Sequence, residues 1–278
     1  MPLLRSGFEL HYEEIQPGAP ALGTAALLPW DTEIFGFPVA SYRAGSDEAL
    51  NEAARKDLAA HFYSWMTRYR VSVCGCVIPV GSLFWKSFLP ELGFRFVDFG
   101  IEARLRNLPS APLPKIRAAL RSPEPEDRLA IETLAVRSFA HGRYFADPLF
   151  PRELAERRYR RWIANALDGV GGLDRVYVLG ERGSVDGFFH VAVQGQVADL
   201  RLAAVAPELQ STGMGFDLYV SVLHELNKMG VRRIVTSISA ANTAVMNLYS
   251  LLGFRFAHPE MIYHWHAALP RPAAPPSG

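Results

Sequence analysis

Residues 205–215 read Val205-Ala206-Pro207-Glu208-Leu209-Gln210-Ser211-Thr212-Gly213-Met214-Gly215. The segment before them, Val197 to Val205, is apolar along most of its length and predicts a strand. The segment after them, Phe216 to Met229, has apolar residues at helical spacing: Leu218, Val222, Leu223 and Leu226. The stretch is therefore a tight strand-to-helix turn with two glycines, Gly213 and Gly215, where the helix begins.

A glycine turn at a helix start is suited to binding a pyrophosphate. The first backbone N–H groups of a helix have no carbonyl partner within it, and the helix dipole adds partial positive charge there. Glycine permits unusual dihedral angles and lets a ligand approach the backbone closely. No Gly-Lys-Ser/Thr follows the turn, and the spacing of the dinucleotide fingerprint is missing. The turn therefore indicates a phosphate-bearing ligand, but it is neither a nucleotide P-loop nor a dinucleotide-binding motif.

Two motifs together carry a resemblance to a known family. The pattern Gln210-x-x-Gly213-x-Gly215 is similar to the coenzyme A loop of the GNAT acetyltransferases. The segment from Asn242 to Phe254 resembles the second motif of that family and follows at the expected distance. The resemblance implies an enzyme that uses acetyl-CoA; the alternative is a structural turn followed by an ordinary core helix.

The resemblance also implies which residues meet the cofactor. The pantetheine arm is expected in the gap between Val197–Val205 and Ile234–Ser239, paired with the backbone at the end of the first strand. Asn242 is expected to cap the helix that follows and to contact this arm. The cofactor-binding residues implied are Leu202, Ala203, Ala204, Val205, Gln210, Ser211, Thr212, Gly213, Met214, Gly215, Asn242 and Tyr249.

Amide formation needs a proton donor for the leaving thiolate and a neutral amine. Tyr249 matches the tyrosine acid of the family, and the alternative for it is a core aromatic residue packed beside Leu252. Asp199 lies where some relatives have a catalytic carboxylate, so it is the candidate base, with a buried water chain as the alternative. A backbone N–H near Leu202 is expected to stabilise the oxyanion. The predicted catalytic residues are therefore Tyr249 and Asp199.

Composition limits the class of protein. The chain has 278 residues, 49% hydrophobic and 21% charged, which is typical of a soluble globular protein. A net charge of +1 gives no reason to expect nucleic acid or a membrane surface as partner, and the absence of a signal-peptide pattern predicts a cytoplasmic protein. Cys74 and Cys76 are expected to be buried neighbours, and no metal is expected at His264-Trp265-His266. A homodimer is left open.

One pentapeptide occurs twice. Leu92-Gly93-Phe94-Arg95-Phe96 is identical to Leu252-Gly253-Phe254-Arg255-Phe256, 160 residues later, and the flanking segments align at the same offset. At that offset Gln210, Gly213 and Gly215 correspond to Leu50, Ala53 and Arg55, and Asn242 and Tyr249 correspond to Ser82 and Leu89. A duplicated strand–helix–strand–helix–strand unit is therefore predicted, with a first copy that has lost the site and one cofactor per chain.

The predicted fold class is α/β, with two tandem GNAT-like mixed β-sheet units flanked by helices, the N-terminal one degenerate. The predicted domains are a degenerate unit at 1–106, a proline-rich linker at 107–114, a catalytic domain at 115–267 and a disordered tail at 268–278. The catalytic domain is expected to begin with a strand, Lys115 to Leu120.

The acceptor is predicted from a loop and from a narrower resemblance. Residues 140–148 are polar and aromatic without periodicity, as acceptor-binding loops often are. Residues 141–147 and 159–165, with 30–36, resemble the dTDP-fucosamine acetyltransferase branch of the GNAT family, which implies a nucleotide-linked amino-deoxysugar. The alternatives are another small amine, such as an amino acid or aminoglycoside, and a non-catalytic acyl-CoA-binding protein. The candidate substrate-binding residues are His141, Arg143, Tyr144 and His190.

Overall fold

The computed structural model describes residues 13–15, 23–45, 52–170 and 172–267. These residues form two compact units. The first unit contains the described residues up to 100 together with those from 259 onward, and the second unit contains residues 101–258. Leu50 and the predicted tail, 268–278, lie outside the described residues. The predicted domain limits stay predictions.

The first unit has an aromatic core on a small sheet. Its elements in chain order are β1 (Glu13–Ile15), β2 (Thr24–Leu27), α1 (Pro29–Phe35), β3 (Val39–Arg43), α2 (Glu52–Arg68), β4 (Val73–Pro79), α3 (Leu83–Glu91) and the beginning of β5 (Arg95–Arg106). Strands β1, β2 and β3 are antiparallel neighbours, and β3 pairs with β4 in parallel. Phe62 of α2 and Trp85 of α3 are buried in the core, and Phe62 packs edge-on against Tyr42 of β3.

The second unit carries the glycine turn. Its elements are the end of β5, β6 (Leu120–Arg121), α4 (Arg128–Ser138), α5 (Arg143–Ala146), α6 (Arg152–Leu167), β7 (Asp174–Leu179), β8 (Gly187–Gln194), β9 (Val197–Val205), α7 (Met214–Lys228), β10 (Arg233–Ser239), α8 (Thr243–Leu251) and the beginning of β11 (Arg255–His266). The strand order is β5-β10-β9-β8-β7-β6, antiparallel from β6 to β9 and parallel between β9 and β10. The strand and the helix predicted on either side of the turn are β9 and α7.

Both faces of this sheet are covered. On one face α7 contributes Leu218, Leu223 and Leu226, each 0% exposed, to a core that also includes Tyr249 of α8. On the other face α4 and α6 pack over a second core with Ile163 of α6 at its centre. Burial of both faces explains why β9 reads as a nearly continuous apolar run.

Two irregularities in β9 shape the region in front of the turn. Registered pairs with β10 end at Val235 opposite Asp199, so the two strands part beyond that point. Against β8, the register shifts between His190, opposite Leu202, and Val191, opposite Leu200, which leaves Arg201 as the extra residue of a β-bulge. The parted strands leave a gap, and the bulge changes the face to which the β9 side chains point.

The last described strand changes unit along its length. β11 begins in the second unit, but from Pro259 onward it belongs to the first. There it pairs antiparallel with β4, from Glu260 opposite Pro79 to His266 opposite Val73. The first unit is therefore built from two separate segments of the chain.

The element bounds support the predicted duplication. β4, α3 and β5 begin and end 160 residues before β10, α8 and β11, respectively. The glycines that end the two corresponding helices also match, because Gly93 has a φ of +84° and Gly253 a φ of +81°. Where the second unit has its glycine turn, Ala53 and Arg55 lie inside α2.

The segment before β6 differs from its predicted form. Only Leu120 and Arg121 form strand pairs, with β7, although the sequence predicts a strand from Lys115. The carbonyls of this segment are bound instead by α7, since the hydroxyl of Ser221 donates to the oxygen of Ala118 at 2.6 Å and His224 Nε2 lies 2.8 Å from the oxygen of Pro114. No helix among the described residues has the length and apolar character to cross a membrane.

Candidate active site

One cavity of about 640 Å³ opens in the second unit where β9 and β10 part. Its wall has three parts. The first is the glycine turn with the start of α7, the second is the pair of parted strands with α8, and the third is the segment 138–142 with one side of α6. A ligand in this cavity would therefore contact the predicted cofactor loop and the predicted acceptor loop.

The glycine turn forms an open wall. Gly213 has a φ of +91° and lies at the N-cap of α7, a conformation that favours glycine. The side-chain amide of Gln210 donates to the carbonyl oxygen of Val205 at 3.3 Å and holds the turn against the end of β9. A Cβ added at Gly213 or Gly215 would meet no atom within 4 Å. The first N–H groups of α7 lie at this wall, an arrangement suited to the oxygens of a phosphate.

Tyr249 lies on the second wall with a buried side chain, 2% exposed. Its ring stacks on Phe254 with centroids 4.6 Å apart, and its hydroxyl oxygen lies 3.5 Å from that of Tyr219. Burial raises the pKa of Tyr249 well above its ordinary value, and the neighbouring Tyr219 adds to this shift. Burial also raises the pKa of Tyr219 to about 12. Both phenols therefore keep their protons at neutral pH, as a proton donor must.

Two further residues shape the gap between the parted strands. The hydroxyl of Thr236 donates to the carbonyl oxygen of Leu200 at 2.8 Å, just beyond the last registered pair of β9 and β10. Asn242 caps α8, as expected, because its Oδ1 accepts from the backbone N–H of Val245 at 3.3 Å.

Asp199, the candidate base, is not among the residues that line the cavity. Its side chain is buried, and its Oδ2 is 3.4 Å from Nη2 of Arg201. Arg201, with a side chain 3% exposed, is the residue of this pair that lines the cavity. The carboxylate of Asp199 therefore stands in contact with a guanidinium and is not part of the lining.

His190 also lies away from the cavity lining. Its side chain is 0% exposed, and its Nε2 is 2.6 Å from Oδ1 of Asp174 on the neighbouring strand β7. Phe188, two residues before it, belongs to the core under α4 and α6, so His190 faces the same side of the sheet. A buried pair of this kind holds two strands together.

The third wall is aromatic. The ring of Tyr159 stacks on that of Phe139 with centroids 4.7 Å apart, and its hydroxyl donates to the carbonyl oxygen of His141 at 3.4 Å. Trp162 lies beside Tyr159, one helical turn along α6. Ser138 Oγ and Trp162 Nε1 are buried atoms without a hydrogen-bond partner among the described residues. Both residues line the cavity, so they are available to a ligand.

Arg143 and Tyr144 support the acceptor loop from behind. The guanidinium of Arg143 lies over the ring of Tyr144, 4.9 Å from its centroid. Tyr144 is buried and packs against Phe150 with ring centroids 4.6 Å apart. Neither residue is among those that line the cavity.

Most of the predicted site residues come together at this cavity. Those on the wall are His141, Leu202, Ala203, Ala204, Val205, Gln210, Ser211, Gly213, Gly215, Asn242 and Tyr249. Those away from the lining are Arg143, Tyr144, His190, Asp199, Thr212 and Met214. The wall residues outside the predicted set include Arg201, Tyr219 and Thr236, and of these three Arg201 has a signal in the sequence, since it is a charge within an apolar strand.

The sequence profile described as the Acetyltransferase (GNAT) family matches residues 143–254. Residues 143–254 are a GNAT acetyltransferase domain. The matched range includes the glycine turn, the parted strands and Tyr249. This match confirms the predicted recognition of the family, and the strands and helices of the structure confirm the predicted mixed α/β fold.

Several curated relatives and solved structures are similar to this chain. The spore coat polysaccharide biosynthesis protein SpsD of Bacillus subtilis (strain 168) is 28% identical over 145 residues, 52% of this chain and 50% of that protein. A mycothiol acetyltransferase of Rhodococcus opacus (strain B4) is 27% identical over 118 residues, 40% of this chain and 37% of that protein. The chain thus spans half or less of the length of these relatives.

One solved structure extends the fold similarity beyond the GNAT domain. It is a tandem GNAT protein from the clavulanic acid biosynthesis pathway, with a TM-score of 0.59 at 16% identity. The superposition covers 92% of this chain and 82% of that one. At this identity the similarity concerns the fold alone.

Proposed function

We propose that the protein is an acetyl-CoA-dependent N-acetyltransferase that acts on the amine of a small acceptor by direct transfer in a ternary complex. One observation carries the proposal: a glycine-lined helix start and a buried, protonated tyrosine lie on the wall of the same cavity. The matching GNAT domain covers both features.

The cavity fits the shape and charge of acetyl-CoA. The pyrophosphate is assigned to the first N–H groups of α7, where Gly213 and Gly215 leave the backbone uncovered. The pantetheine arm is assigned to the gap beside Leu202 to Val205, where β9 is no longer paired with β10. When bound, acetyl-CoA supplies the acetyl group as a thioester, whose carbonyl carbon an amine attacks.

The protein contributes hydrogen-bond donors at two atoms. Backbone N–H groups between Leu202 and Val205 are free of β10 and donate to the carbonyl oxygen as negative charge develops there. The hydroxyl of Tyr249 donates its proton to the sulfur as the C–S bond breaks and the C–N bond forms. A thiolate in this buried site loses the solvation that would stabilise it, which favours its protonation by the phenol.

The acceptor we propose is a nucleotide-linked amino-deoxysugar. The aromatic wall of Phe139, Tyr159 and Trp162 offers ring faces for a sugar or a base. The described residues that line the cavity include no carboxylate, and Arg201 is the one that carries a fixed charge. A polycationic acceptor such as an aminoglycoside would find no counter-charge on this wall. The name of SpsD, a polysaccharide biosynthesis protein, supports a sugar acceptor.

A second candidate is acetylation of another small amine. The similarity to a mycothiol acetyltransferase favours it, since that relative is similar at nearly the same identity as SpsD. A non-catalytic acyl-CoA-binding protein is the alternative outside enzymes.

We also propose one active site per chain within a tandem architecture. In the first unit, Arg55 lies inside α2 at the position of Gly215, and its guanidinium bonds Glu91 at 2.6 Å. The continuous helix leaves no glycine turn at this place. Titration with coenzyme A is expected to give one site per chain.

Thiol release from acetyl-CoA across a panel of amines tests the function. The panel contains thymidine-diphosphate and uridine-diphosphate amino sugars, free amino sugars, cysteine conjugates of amino sugars, amino acids and an aminoglycoside. Release with the nucleotide sugars, and acetylated product by mass spectrometry, is expected. Release only with another amine would identify the second candidate, and coenzyme A binding without release from any acceptor would favour the non-catalytic protein. A Gly213→Glu variant, which places a carboxylate at the phosphate wall, is expected to lose binding.

A further inference from the structure

Among the described residues that line the cavity, His141 is the one with an imidazole side chain. The other titratable side chains among the described lining residues are Arg201 and the tyrosines Tyr159, Tyr219 and Tyr249. Arginine keeps its proton, and a phenol protonated at neutral pH does not accept one. An ammonium group has no lone pair, so an acceptor that arrives protonated must lose a proton before it attacks. His141 is the lining side chain whose chemistry suits this task.

Two residues predicted from their strand positions, Asp199 as the base and His190 as a substrate-binding residue, have other partners. The Oδ2 of Asp199 is 3.4 Å from the guanidinium of Arg201. His190 is fully buried, and its Nε2 is 2.6 Å from Asp174. Neither residue is among those that line the cavity.

The loop that carries His141 is held by its backbone, which leaves the imidazole available. The carbonyl oxygen of His141 accepts the hydroxyl of Tyr159. The next residue, Gly142, has a φ of +110°, and a Cβ there would lie 3.0 Å from the same hydroxyl. The imidazole itself is exposed and makes no hydrogen bond or ion pair within the described parts of the chain. The nearest charged residue in sequence is Arg143, whose guanidinium lies over the ring of Tyr144, and Arg201 of β9 is a charged residue of the same cavity wall.

We propose that His141 is the general base of the transfer. This inference rests on the proposed function. The imidazole takes one proton from the acceptor ammonium and passes it to solvent, and the neutral amine then forms the bond to the carbonyl carbon. As the C–S bond breaks, Tyr249 gives its proton to the sulfur. The nitrogen, cationic after the attack, gives its second proton to the imidazole, and by way of solvent that proton restores the phenol of Tyr249. Because His141 is exposed, its imidazolium returns the proton to solvent, and Tyr249 regains a proton after the thiol leaves.

Two variants and one matched control test this role. His141→Ala and His141→Gln are compared with His258→Gln, which changes an exposed histidine of the same unit outside the cavity. At neutral pH, kcat/KM for the amine is expected to fall about 100-fold in both His141 variants and to stay unchanged in the control. The KM for acetyl-CoA and the melting temperature should not move. The defect should shrink as the pH rises past the pKa of the acceptor amine, and added imidazole should restore activity to His141→Ala.

The outcomes separate this proposal from the function on which it rests. Failure of the parent protein to release thiol with any amine would reject the proposed function. A parent that is active, beside His141 variants with an unchanged rate and pH profile, would overturn the role of His141 alone. A rate loss that is constant across pH and does not respond to imidazole would also overturn it, because that result describes a residue that only binds the acceptor.

Discussion

Replacing Gly215 with alanine should make the protein more stable while weakening its binding of coenzyme A. Gly215 is the second residue of α7, and its φ is not in the left-handed region. Alanine in a helix is more stable than glycine by about 0.5–1 kcal/mol, and the added Cβ meets no atom within 4 Å. The free energy of unfolding should therefore rise by up to about 1 kcal/mol.

The same methyl group enters the space assigned to the pyrophosphate. A phosphate oxygen that bonds a backbone N–H must come to about 2.9 Å from the nitrogen, and a Cβ beside it holds the ligand away. Loss of one hydrogen bond to a charged group costs about 1.5–3 kcal/mol, which corresponds to a roughly 10- to 150-fold weaker Kd. Calorimetry with coenzyme A and urea unfolding of the same preparations measure the two effects.

Two other glycines serve as controls, because a Cβ also meets no atom within 4 Å at either. Gly183→Ala, at a φ of +80° in a turn outside the cavity, should lose about 1–2 kcal/mol of stability and bind coenzyme A normally. Gly213→Ala, at a φ of +91° on the wall, should lose both stability and binding. A Gly215→Ala protein that binds coenzyme A as tightly as its parent would refute the placement of the pyrophosphate.

Three further predictions concern the proton donor Tyr249, the two buried thiols and the ion pair of Arg121 with Asp127. Tyr249→Phe should lower kcat about 100-fold with little change in the KM for acetyl-CoA. Because burial raises the pKa of Tyr249, its phenol should stay protonated up to about pH 10, so the pH–rate profile of the parent should show no loss of this acid below that pH. Burial raises the pKa of Cys76 to about 12 and that of Cys74 well above its ordinary value, so the unfolded thiols ionise first and stability should fall above about pH 8.5, by up to about 1.4 kcal/mol per pH unit and thiol. Urea unfolding at pH 8 and pH 10 measures this slope, and a double Cys→Ala variant should lose the part of it that the thiols contribute, while buried tyrosines such as Tyr219 and Tyr249, whose pKa values are also raised, keep a smaller slope near pH 10. The hydrogen bond from Arg121 lowers the pKa of Asp127, so the stability that this pair contributes should be present above about pH 4 and should disappear as the pH falls. Asp127→Ala should therefore lower the free energy of unfolding by about 3 kcal/mol at pH 7. In the variant, the melting temperature should depend less on pH in the acid range than it does in the parent.

The glycine turn and its flanking elements could be predicted from the sequence because their signals are local. The apolar spacing of α7 gives its buried face, and Gly213 does adopt the positive φ that glycine permits. The repeat at an offset of 160 residues could also be predicted from the sequence, because one pentapeptide occurs twice at that distance. The bounds of strands β4 and β10 differ by the same offset.

The face of β9 on which Asp199 lies could not be predicted from the sequence, because it depends on one extra residue in the strand, Arg201. Strict alternation would place Asp199 on the same face as Ala203 and Val205. The bulge at Arg201 reverses this alternation, so Asp199 shares its face with Leu202 and Ala204, whose core lies under α4 and α6. A bulge leaves no signal in the period of the sequence, and the pairing of His190 with Asp174 needs the register of two strands.

The pairing of β11 with β4 determines which unit can be completed first while the chain is being synthesised. Strand β4 is synthesised early, yet its antiparallel neighbour is the segment from Glu260 to His266. On the ribosome, the residues of α2, β4 and α3 would therefore emerge with one edge of β4 still unpaired until nearly two hundred residues more had been added. The first unit would therefore be the last to be completed, and a nascent chain halted before residue 259 would leave that strand edge open to other chains.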